Sequence, residues 1–357
     1  MKTIAFFLGT RPEYIKIIKV IEKLKKFKKI KILIISSNQQ NDILKLYLDP
    51  KLEIINLSIK KSADIELFMA RFWVQLNQYL KNKLIDYFFV QGDTSTTYAS
   101  CLYGFLNNIK VIHLEAGLRT NDVFSPFPEE FFRQSISKMA TFHLSQTNSS
   151  KKNLIKEGIT KNIFIVGNPG IDYFLDNLNK NKNSVIPNSI LITMHRRESL
   201  DKNLEIFILN LKKFISKNEN CLIFWPVHPN PIIKTFISKQ LNYFKKKNIN
   251  FLKPLSYEKF LDVLEKVEMV VTDSGGVQEE TAYIGKPLLI ARDKTERVDI
   301  IKLKLGKIIR ANGSGLNSAF KYYKKHKIDQ ANTNLWKKMQ GFGKSSDSIY
   351  KFIKTLT

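Results

Sequence analysis

The feature that most constrains the fold is an alternation of short apolar runs with segments of helical periodicity, which occurs twice along the chain. In the first half the strand-like runs lie at 3–9, 31–37, 52–57, 86–93, 111–116, 142–147 and 163–167. This alternation predicts βαβ units and a mainly parallel sheet with helices on both faces. A polar, aperiodic stretch at 177–189, which contains Pro187, then interrupts the pattern and predicts an interdomain linker.

The second half repeats the alternation. Its strand-like runs lie at 190–196, 221–228, 249–254, 269–273, 288–292 and 307–310. At 357 residues the chain is long for one hydrophobic core. We therefore predict an α/β protein with two Rossmann-like domains, residues 1–178 and 179–344. Ligands bind such sheets at the carboxyl ends of the strands, so we expect the site in a cleft that both domains face.

Charge and cysteine content narrow the classes of partner. The net charge is +26, but the lysines are spread through runs such as 19–31, and no basic stretch is interleaved with aromatic residues. We predict no nucleic-acid partner; an anionic small substrate or acidic lipid headgroups suit a basic surface equally well. No apolar run is long enough to insert into a membrane. Cys101 and Cys221 are far apart in apolar contexts, which indicates a reducing, cytoplasmic location and no metal cluster.

Three stretches of the first half place charged residues at predicted strand ends. GTRPE (9–13) puts Arg11 at a helix N-terminus, with Lys16 one turn further on. A helix N-terminus favours an anion, although the stretch also fits an ordinary capped turn. QGDTSTT (91–97) ends a strand with Asp93, which could instead be an N-cap.

The stretch VIHLEAGLRT (111–120) places Glu115 in an apolar context. An unpaired buried charge is costly, so this carboxylate is paired, near water, or present for chemistry. Adjacent strand ends would bring Asp93 and Glu115 to the same rim. SPFPEE (125–130) adds Glu129 and Glu130 in the first turn of a helix, where complementing the helix dipole is the alternative explanation.

Two stretches of the second half carry the remaining candidates. MHRRES (194–199) places His195 and Arg196 where the chain leaves a strand. TDSGGVQEE (272–280) ends a buried strand and opens a helix with two glycines, which can offer backbone donors to a phosphate. Glu279 and Glu280 lie one turn in, and a carboxylate there suits the paired hydroxyls of a ribose. Arg297, in RDKTER (292–297), returns toward the same region.

Taken together, these motifs resemble the UDP-N-acetylglucosamine 2-epimerase family. GTRPE, GDTSTT, HLEAGLRT, SPFPEE, HRRES, PVHPN (226–230), TDSGGVQEE and TER occur in the family's order and approximate spacing, from about residue 3 to 350. The resemblance implies the GT-B-type two-domain fold that many glycosyltransferases share. It also implies that a last helix, at about 345–357, packs back on the first domain. HLEAGLRT is intact, which favours the non-hydrolysing branch of the family.

The resemblance also assigns residues by matching position. It implies catalytic roles for Asp93, Glu115, Glu129 and His195. The predicted substrate-binding residues, to which we add Arg196 from its motif, are Arg11, Lys16, Arg196, Phe260, Ser274, Gly275, Gly276, Glu280 and Arg297. We expect no metal and no cofactor, because no dinucleotide fingerprint is found. Gln39 and Gln40 replace the usual Gln-His in a region that helps bind a regulatory UDP-GlcNAc in bacterial members.

The expected reaction is interconversion of UDP-GlcNAc and UDP-ManNAc by elimination of UDP to 2-acetamidoglucal and re-addition, for surface polysaccharide synthesis. The expected partner is a UDP-N-acetylhexosamine, and the expected assembly is a homodimer. Three alternatives stay open at this point: a hydrolysing 2-epimerase, a 2-epimerase of a modified UDP-N-acyl sugar, and an inverting GT-B glycosyltransferase. A glycosyltransferase would need an acceptor, and three acidic sites are more than one base requires. A non-catalytic basic binding protein is disfavoured by the intact motifs.

Overall fold

The computed structural model describes residues 1–37, 52–59, 64–179, 184–194, 202–227, 231–244 and 247–357. The chain divides into two compact units, Met1–Tyr173 with Met339–Thr357, and Phe174–Lys338. Within the described ranges, no helix is both long enough and apolar enough to cross a membrane.

Thirteen strands lie in the described ranges. They are β1 (Lys2–Leu8), β2 (Ile30–Ser36), β3 (Glu53–Asn56), β4 (Tyr87–Gln91), β5 (Lys110–Leu114), β6 (Phe142–Ser145), β7 (Ile163–Ile165), β8 (Ile186–Thr193), β9 (Leu222–Pro226), β10 (Ile249–Leu252), β11 (Val267–Thr272), β12 (Leu288–Ile290) and β13 (Gly306–Ile308). Each predicted run overlaps one of these strands. β8 begins four residues before its predicted start. Its first residues pair only with β11 and pairing with β9 begins at Ser189, so Pro187 interrupts no ladder on that side.

The helices alternate with the strands, as predicted. In the described ranges they are α1 (Arg11–Leu24), α2 (Ile65–Leu80), α3 (Ser95–Leu106), α4 (Glu129–Met139), α5 (Asn148–Lys156), α6 (Pro169–Asn177), α7 (Lys202–Lys217), α8 (Pro231–Phe244), α9 (Tyr257–Lys266), α10 (Gly275–Tyr283), α11 (Val298–Lys302), α12 (Leu316–Lys325), α13 (Gln330–Met339) and α14 (Ser345–Lys354).

Both sheets are parallel and share one strand order. The first unit's sheet runs β3-β2-β1-β4-β5-β6-β7, and the second unit's runs β10-β9-β8-β11-β12-β13. In each sheet the chain first adds strands on one side of its first strand and then returns to add them on the other. The reversal lies between β1 and β4 in one sheet and between β8 and β11 in the other. Ligands bind such sheets at the carboxyl ends of the strands beside this reversal, known as the topological switch point.

Alternating side chains of β1 explain why helices cover both faces of the first sheet. Ile4, Phe6 and Leu8 pack into a core with α1 and α14. Ala5 and Phe7 face the opposite core, which α2, α3 and α4 complete. A strand buried on both faces reads as a continuous apolar run, as KTIAFFL does.

The last helix, α14, packs on the first unit. Asp172 accepts the backbone N–H groups of Ser345 and Ser346, at 3.2 and 2.6 Å, and so caps the helix N-terminus. The Phe352 ring lies 5.5 Å from Phe142 and 4.7 Å from Phe164 between centroids. Residues 339–357 therefore belong to the same compact unit as the N-terminal sheet.

Candidate active site

The turn after β1 is tied to the turn after β4 by Glu13, which is buried. Its Oε2 accepts the backbone N–H groups of Gly9 and Thr10, each at 2.6 Å. Its Oε1 accepts the hydroxyl groups of Thr94 and, at 3.2 Å, Thr97. Burial raises the pKa of Glu13, while these hydrogen bonds oppose the rise. Sequence reasoning missed this role, although the spacing Thr10-x-x-Glu13 is that of a helix capping box.

The question that Glu115 raised has a direct answer, because this buried carboxylate is paired. Lys16 Nζ lies 2.5 Å from Glu115 Oε2, and the side-chain amide of Gln91 donates to the same oxygen. Glu115 has a φ of +72°, a left-handed conformation that is uncommon outside glycine. It follows directly after β5 and is only 6% exposed. Gln91 is a second site residue that sequence reasoning missed.

Lys16 and Arg11 were both predicted at this edge. The side chain of Lys16, which contacts Glu115, passes close to Gly170. A Cβ on Gly170 would lie 3.2 Å from Lys16 Cγ. A larger residue at position 170 would therefore press on the lysine that pairs with Glu115. Arg11 is half-buried at the first position of α1.

His113 supports the same edge from inside β5. Its Nε2 lies 2.8 Å from the carbonyl oxygen of Gly92, so Nε2 carries the proton and donates. Burial lowers the pKa of His113 to about 3, and the pKa of its strand neighbour His143 to about 4. Both rings are therefore neutral at pH 7. His113 holds the backbone beside Asp93 and adds no charge to it.

The side chain of Asp93 is a quarter exposed and pairs with Arg133. Arg133 NH1 also donates to Glu130 Oε2 at 2.9 Å, so the guanidinium lies between two carboxylates. Glu130 is buried, whereas Glu129, the first residue of α4, is half-buried. Of the two glutamates in SPFPEE, Glu130 organises the structure and Glu129 is the more accessible. Arg133 was not predicted from the sequence, because only the fold brings α4 against the end of β4.

In the second unit, the two glycines at the start of α10 differ in the space around them. A Cβ on Gly275 would lie 2.7 Å from the guanidinium carbon of Arg297, so only glycine lets the arginine lie against the helix start. A Cβ on Gly276 would meet no atom within 4 Å in the described residues. Ser274 is the N-cap, and its backbone N–H donates to Thr272 Oγ1 at 2.9 Å. The helix N-terminus beside Gly276 thus has room for a ligand.

Carboxylates hold the second unit's site together. Arg297 Nε donates to Glu279 Oε1 at 3.0 Å, and Arg297 NH1 pairs with Glu296. Glu296 also accepts Arg292 at 2.8 Å, which fixes the RDKTER segment. The predicted ribose ligand, Glu280, accepts the Tyr257 hydroxyl at 2.6 Å.

The remaining predicted residues fall in two groups. Phe260 is half-buried on α9, the helix that also carries Tyr257. His195 and Arg196 lie outside the described residues, as do Gln39 and Gln40. Within the described ranges, no group of three or more His, Cys, Asp and Glu side chains could hold a metal ion.

Each unit therefore offers one kind of chemistry at its switch point. The first unit presents carboxylates fixed by Lys16, Gln91 and Arg133, which can exchange protons with a bound molecule. The second unit presents an open helix N-terminus beside a fixed arginine, which can bind an anionic group.

The fold and these two edges define an enzyme of the GT-B fold class, with two Rossmann-like domains. Residues 22–354 match the profile of the family described as UDP-N-acetylglucosamine 2-epimerase. The chain belongs to this family.

Individual relatives agree over the whole chain. A UDP-N-acetylglucosamine 2-epimerase of Salmonella borreze is 32% identical, with 100% of this chain and 99% of the relative covered. A crystal structure is known of the Methanocaldococcus jannaschii UDP-GlcNAc 2-epimerase in complex with UDP-GlcNAc and UDP, whose sequence is 30% identical to this chain. It superposes with a TM-score of 0.86 over 99% of each chain. The structure of a kitacinnamycin glycosyltransferase, at 11% identity, a TM-score of 0.65 and coverage of 99% and 98%, shares the fold alone.

Proposed function

We propose that this protein is a non-hydrolysing UDP-N-acetylglucosamine 2-epimerase that interconverts UDP-GlcNAc and UDP-ManNAc. Family membership supports the substrate class. The observation that carries the reaction is the pair of carboxylates, Asp93 and Glu115, that follow the neighbouring strands β4 and β5. Asp93 follows a strand of the switch point, where a fold of this type binds its ligand, and Glu115 follows the strand next to it.

The substrate's chemistry explains why carboxylates are needed. The hydrogen on C2 of the sugar is not acidic, because no neighbouring carbonyl stabilises a carbanion. In the proposed first step the C1–O bond breaks and its electron pair leaves with UDP. A base takes the C2 proton, and the C–H electrons form the C1=C2 double bond of 2-acetamidoglucal. In the return step a proton is delivered to the opposite face of C2, and a diphosphate oxygen bonds to C1.

We assign proton transfer to Asp93, Glu115 and Glu129, with His195 as a further catalytic residue. A base and an acid on opposite faces of C2 require at least two such groups. Lys16 and Gln91 fix the orientation of Glu115, which supports its use in directed proton transfer.

We assign nucleotide binding chiefly to the second unit. The N–H groups at the start of α10 bind the diphosphate, with Ser274 and Arg297 beside them. The space around Gly276 supports this assignment, because no described side chain occupies it. Glu280 binds the ribose hydroxyls, and its contact with Tyr257 holds the carboxylate in place. The further substrate-binding residues of the proposal are Arg11, Lys16, Arg196, Phe260, Gly275 and Gly276.

We also propose a cytoplasmic homodimer that supplies UDP-ManNAc for a surface polysaccharide. Its domains would be 1–178 and 179–344, with 345–357 returning to the first. Exposed apolar side chains on the neighbouring helices α2 and α3 support self-association. They are Leu67 (41% exposed), Val74 (60%), Phe105 (53%) and Leu106 (68%). Light scattering of the wild type and of Val74→Asp tests the assembly: a monomeric wild type contradicts it.

The reaction is tested by following UDP-GlcNAc alone by NMR in deuterated water, with no added nicotinamide, metal or acceptor. We expect UDP-ManNAc to appear and deuterium to enter C2 of the sugar in both epimers. Epimer formation with the original C2 hydrogen retained would exclude the elimination mechanism. Free ManNAc and UDP as products would identify a hydrolysing enzyme. An unchanged substrate that is consumed once a sugar acceptor is added would identify a glycosyltransferase.

A further inference from the structure

Arg133 is the buried cation that contacts the accessible carboxylate of Asp93. The arginine is 3% exposed, whereas the Asp93 side chain is 25% exposed. One guanidinium nitrogen pairs with Asp93 Oδ2 and the other donates to Glu130 at 2.9 Å. The guanidinium therefore connects a fully buried carboxylate to one that a substrate can reach.

The inner partner, Glu130, is fixed by several donors. Its Oε2 accepts the backbone N–H of Thr120 at 3.1 Å, and its Oε1 accepts the backbone N–H of Asn121 at 3.3 Å. The side-chain amide of Gln134 adds a third donor at 3.2 Å. Because Glu130 cannot turn without breaking these bonds, it fixes one side of the Arg133 guanidinium.

A fixed guanidinium constrains the carboxylate on its other side. The group is planar, stays charged, and donates along set directions, whereas a lysine ammonium is a point charge with rotating donors. Asp93 therefore has a preferred orientation even though its side chain is partly exposed. A fixed orientation of this kind raises the rate of proton transfer, because the accepting oxygen must lie within hydrogen-bond reach of the proton.

We propose that Arg133 is a positioning residue for epimerisation, which holds the Asp93 carboxylate in its anionic form and turned toward C2 of the sugar. The inference rests on the proposed epimerase function and adds to it a residue that need not touch the substrate. Arg133 acts through Asp93, so its loss should alter turnover and its pH dependence more than substrate binding.

The pH argument depends on the charges around Asp93. Among the described residues, the charged and titratable groups of this edge are Arg133 and Glu130 on α4, His113 on β5, Glu115 directly after β5, and Glu13 and Lys16 on α1, of which Lys16 pairs with Glu115. His113 is neutral at pH 7, because burial lowers its pKa to about 3. Among the described residues, Arg133 supplies a positive charge in contact with Asp93. Weakening that contact among neighbouring carboxylates should make Asp93 take up a proton at higher pH.

The test compares Arg133→Lys with Arg119→Lys, both measured for UDP-GlcNAc turnover across pH 5 to 9. Arg119 is a matched control, because it is also a buried arginine with a bidentate carboxylate partner, Glu157. We expect Arg133→Lys to lower kcat about 10- to 100-fold, the usual cost of losing a charge-assisted contact. KM should change less than about threefold, and the acid limb of the kcat profile should move to higher pH. Arg119→Lys should leave kcat and the acid limb unchanged.

Circular dichroism and urea unfolding check that each variant is folded. If Arg133→Lys does not fold, Arg133→Gln carries the test, since it keeps a donor to Asp93 but removes the charge. If Arg133→Lys or Arg133→Gln is folded and keeps the wild-type kcat and acid limb, the inference is overturned. Equal losses in Arg133→Lys and Arg119→Lys, with no change in the acid limb, also overturn it, because they indicate only a structural role. A wild-type protein that does not epimerise UDP-GlcNAc contradicts the proposed function instead.

Discussion

The carboxyl edges of the two sheets share a strand order and differ in chemistry. In the first unit, acidic side chains follow β4 and β5, and Lys16 and Arg133 reach them from helices. In the second unit, the buried Asp273 directly follows β11, and Ser274, Gly275 and Gly276 then begin α10, where a Cβ on Gly276 would meet no described atom within 4 Å. Both edges carry carboxylates, but those of the second unit, Glu279 and Glu296, hold Arg297 against a helix N-terminus, whereas Asp93 of the first unit is a quarter exposed.

The difference shows that topology determines the position of a site, whereas the residues at the strand ends determine its chemistry. The switch point determines where a ligand can approach, and it does so equally in both sheets. The residues that follow each strand decide what happens there. Substitutions of the carboxylates at the first unit's edge should therefore change turnover at preserved UDP affinity, and substitutions at the second unit's edge should change UDP affinity.

The largest effect is expected for Glu115→Gln. The amide nearly preserves size but cannot accept the C2 proton, so turnover should fall roughly 100-fold or more. UDP affinity, measured by calorimetry, should persist, because we assign the nucleotide mainly to the second unit. The variant should also lose stability, because Lys16 keeps its charge and loses a buried partner at 2.5 Å.

Glu53→Gln is the control for this change, since Glu53 is a surface carboxylate that contacts Lys31 and Lys83. It should epimerise at the wild-type rate. If folded Glu115→Gln also epimerises at that rate, then Glu115 is a structural ion-pair partner and the catalytic assignment is wrong.

A smaller effect, on affinity, is expected for Arg297→Ala. Its guanidinium lies against the start of α10, where we assign the diphosphate. Loss of one charge-assisted contact should weaken UDP binding about 10- to 100-fold. Arg297 is also bound to Glu279 and Glu296, so urea unfolding must accompany the titration. Unchanged UDP affinity in a folded variant would place the diphosphate elsewhere.

The sequence predicted the fold well, because alternating strand and helix patterns are local signals. The predicted runs overlap all thirteen strands of the described ranges, whereas β8 begins inside the stretch predicted as a linker. The sequence also predicted the positions of Asp93 and Glu115 at adjacent strand ends, since parallel order follows from βαβ connections. The predicted family is confirmed by the profile match over residues 22–354.

The sequence could not predict the residues that hold the site together. Arg133 meets Asp93 only because α4 packs near the end of β4, 40 positions along the chain from the aspartate. Glu13 likewise joins loops more than 80 residues apart. Such pairs depend on tertiary packing, and no local spacing encodes them. Glu296 was also missed, although it lies next to Arg297 in the motif.

The two glycines of the second unit give a matched comparison within one helix turn. Gly275→Ala would push a methyl group onto the Arg297 guanidinium, where the Cβ distance is 2.7 Å, and should cost about 1–3 kcal/mol of unfolding free energy. Gly276→Ala meets no described atom and gains helix propensity, so stability should hold or rise. UDP affinity should nevertheless fall about tenfold in Gly276→Ala, because the methyl group takes space that we assign to the diphosphate. Gly276→Ala with wild-type UDP affinity would show that this space is not part of the nucleotide site.

The smallest effect is on the pH dependence of stability, and it concerns His113 at the first unit's edge. The pKa of His113 is lowered to about 3 by burial, whereas an unfolded histidine has a pKa of about 6.5. Between these two pKa values, His113 is protonated in the unfolded chain and neutral in the folded chain. The free energy of unfolding therefore falls as pH drops below about 6.5. Between pH 7.5 and 5.5 one such group removes about 1.4 kcal/mol of unfolding free energy. His113→Gln can keep the hydrogen bond to Gly92 without titrating, so urea unfolding should show a smaller loss over this interval. The exposed His326, replaced by Gln, should leave the loss unchanged. If His113→Gln loses as much stability as the wild type, the acid sensitivity lies elsewhere than at the edge that carries the carboxylates.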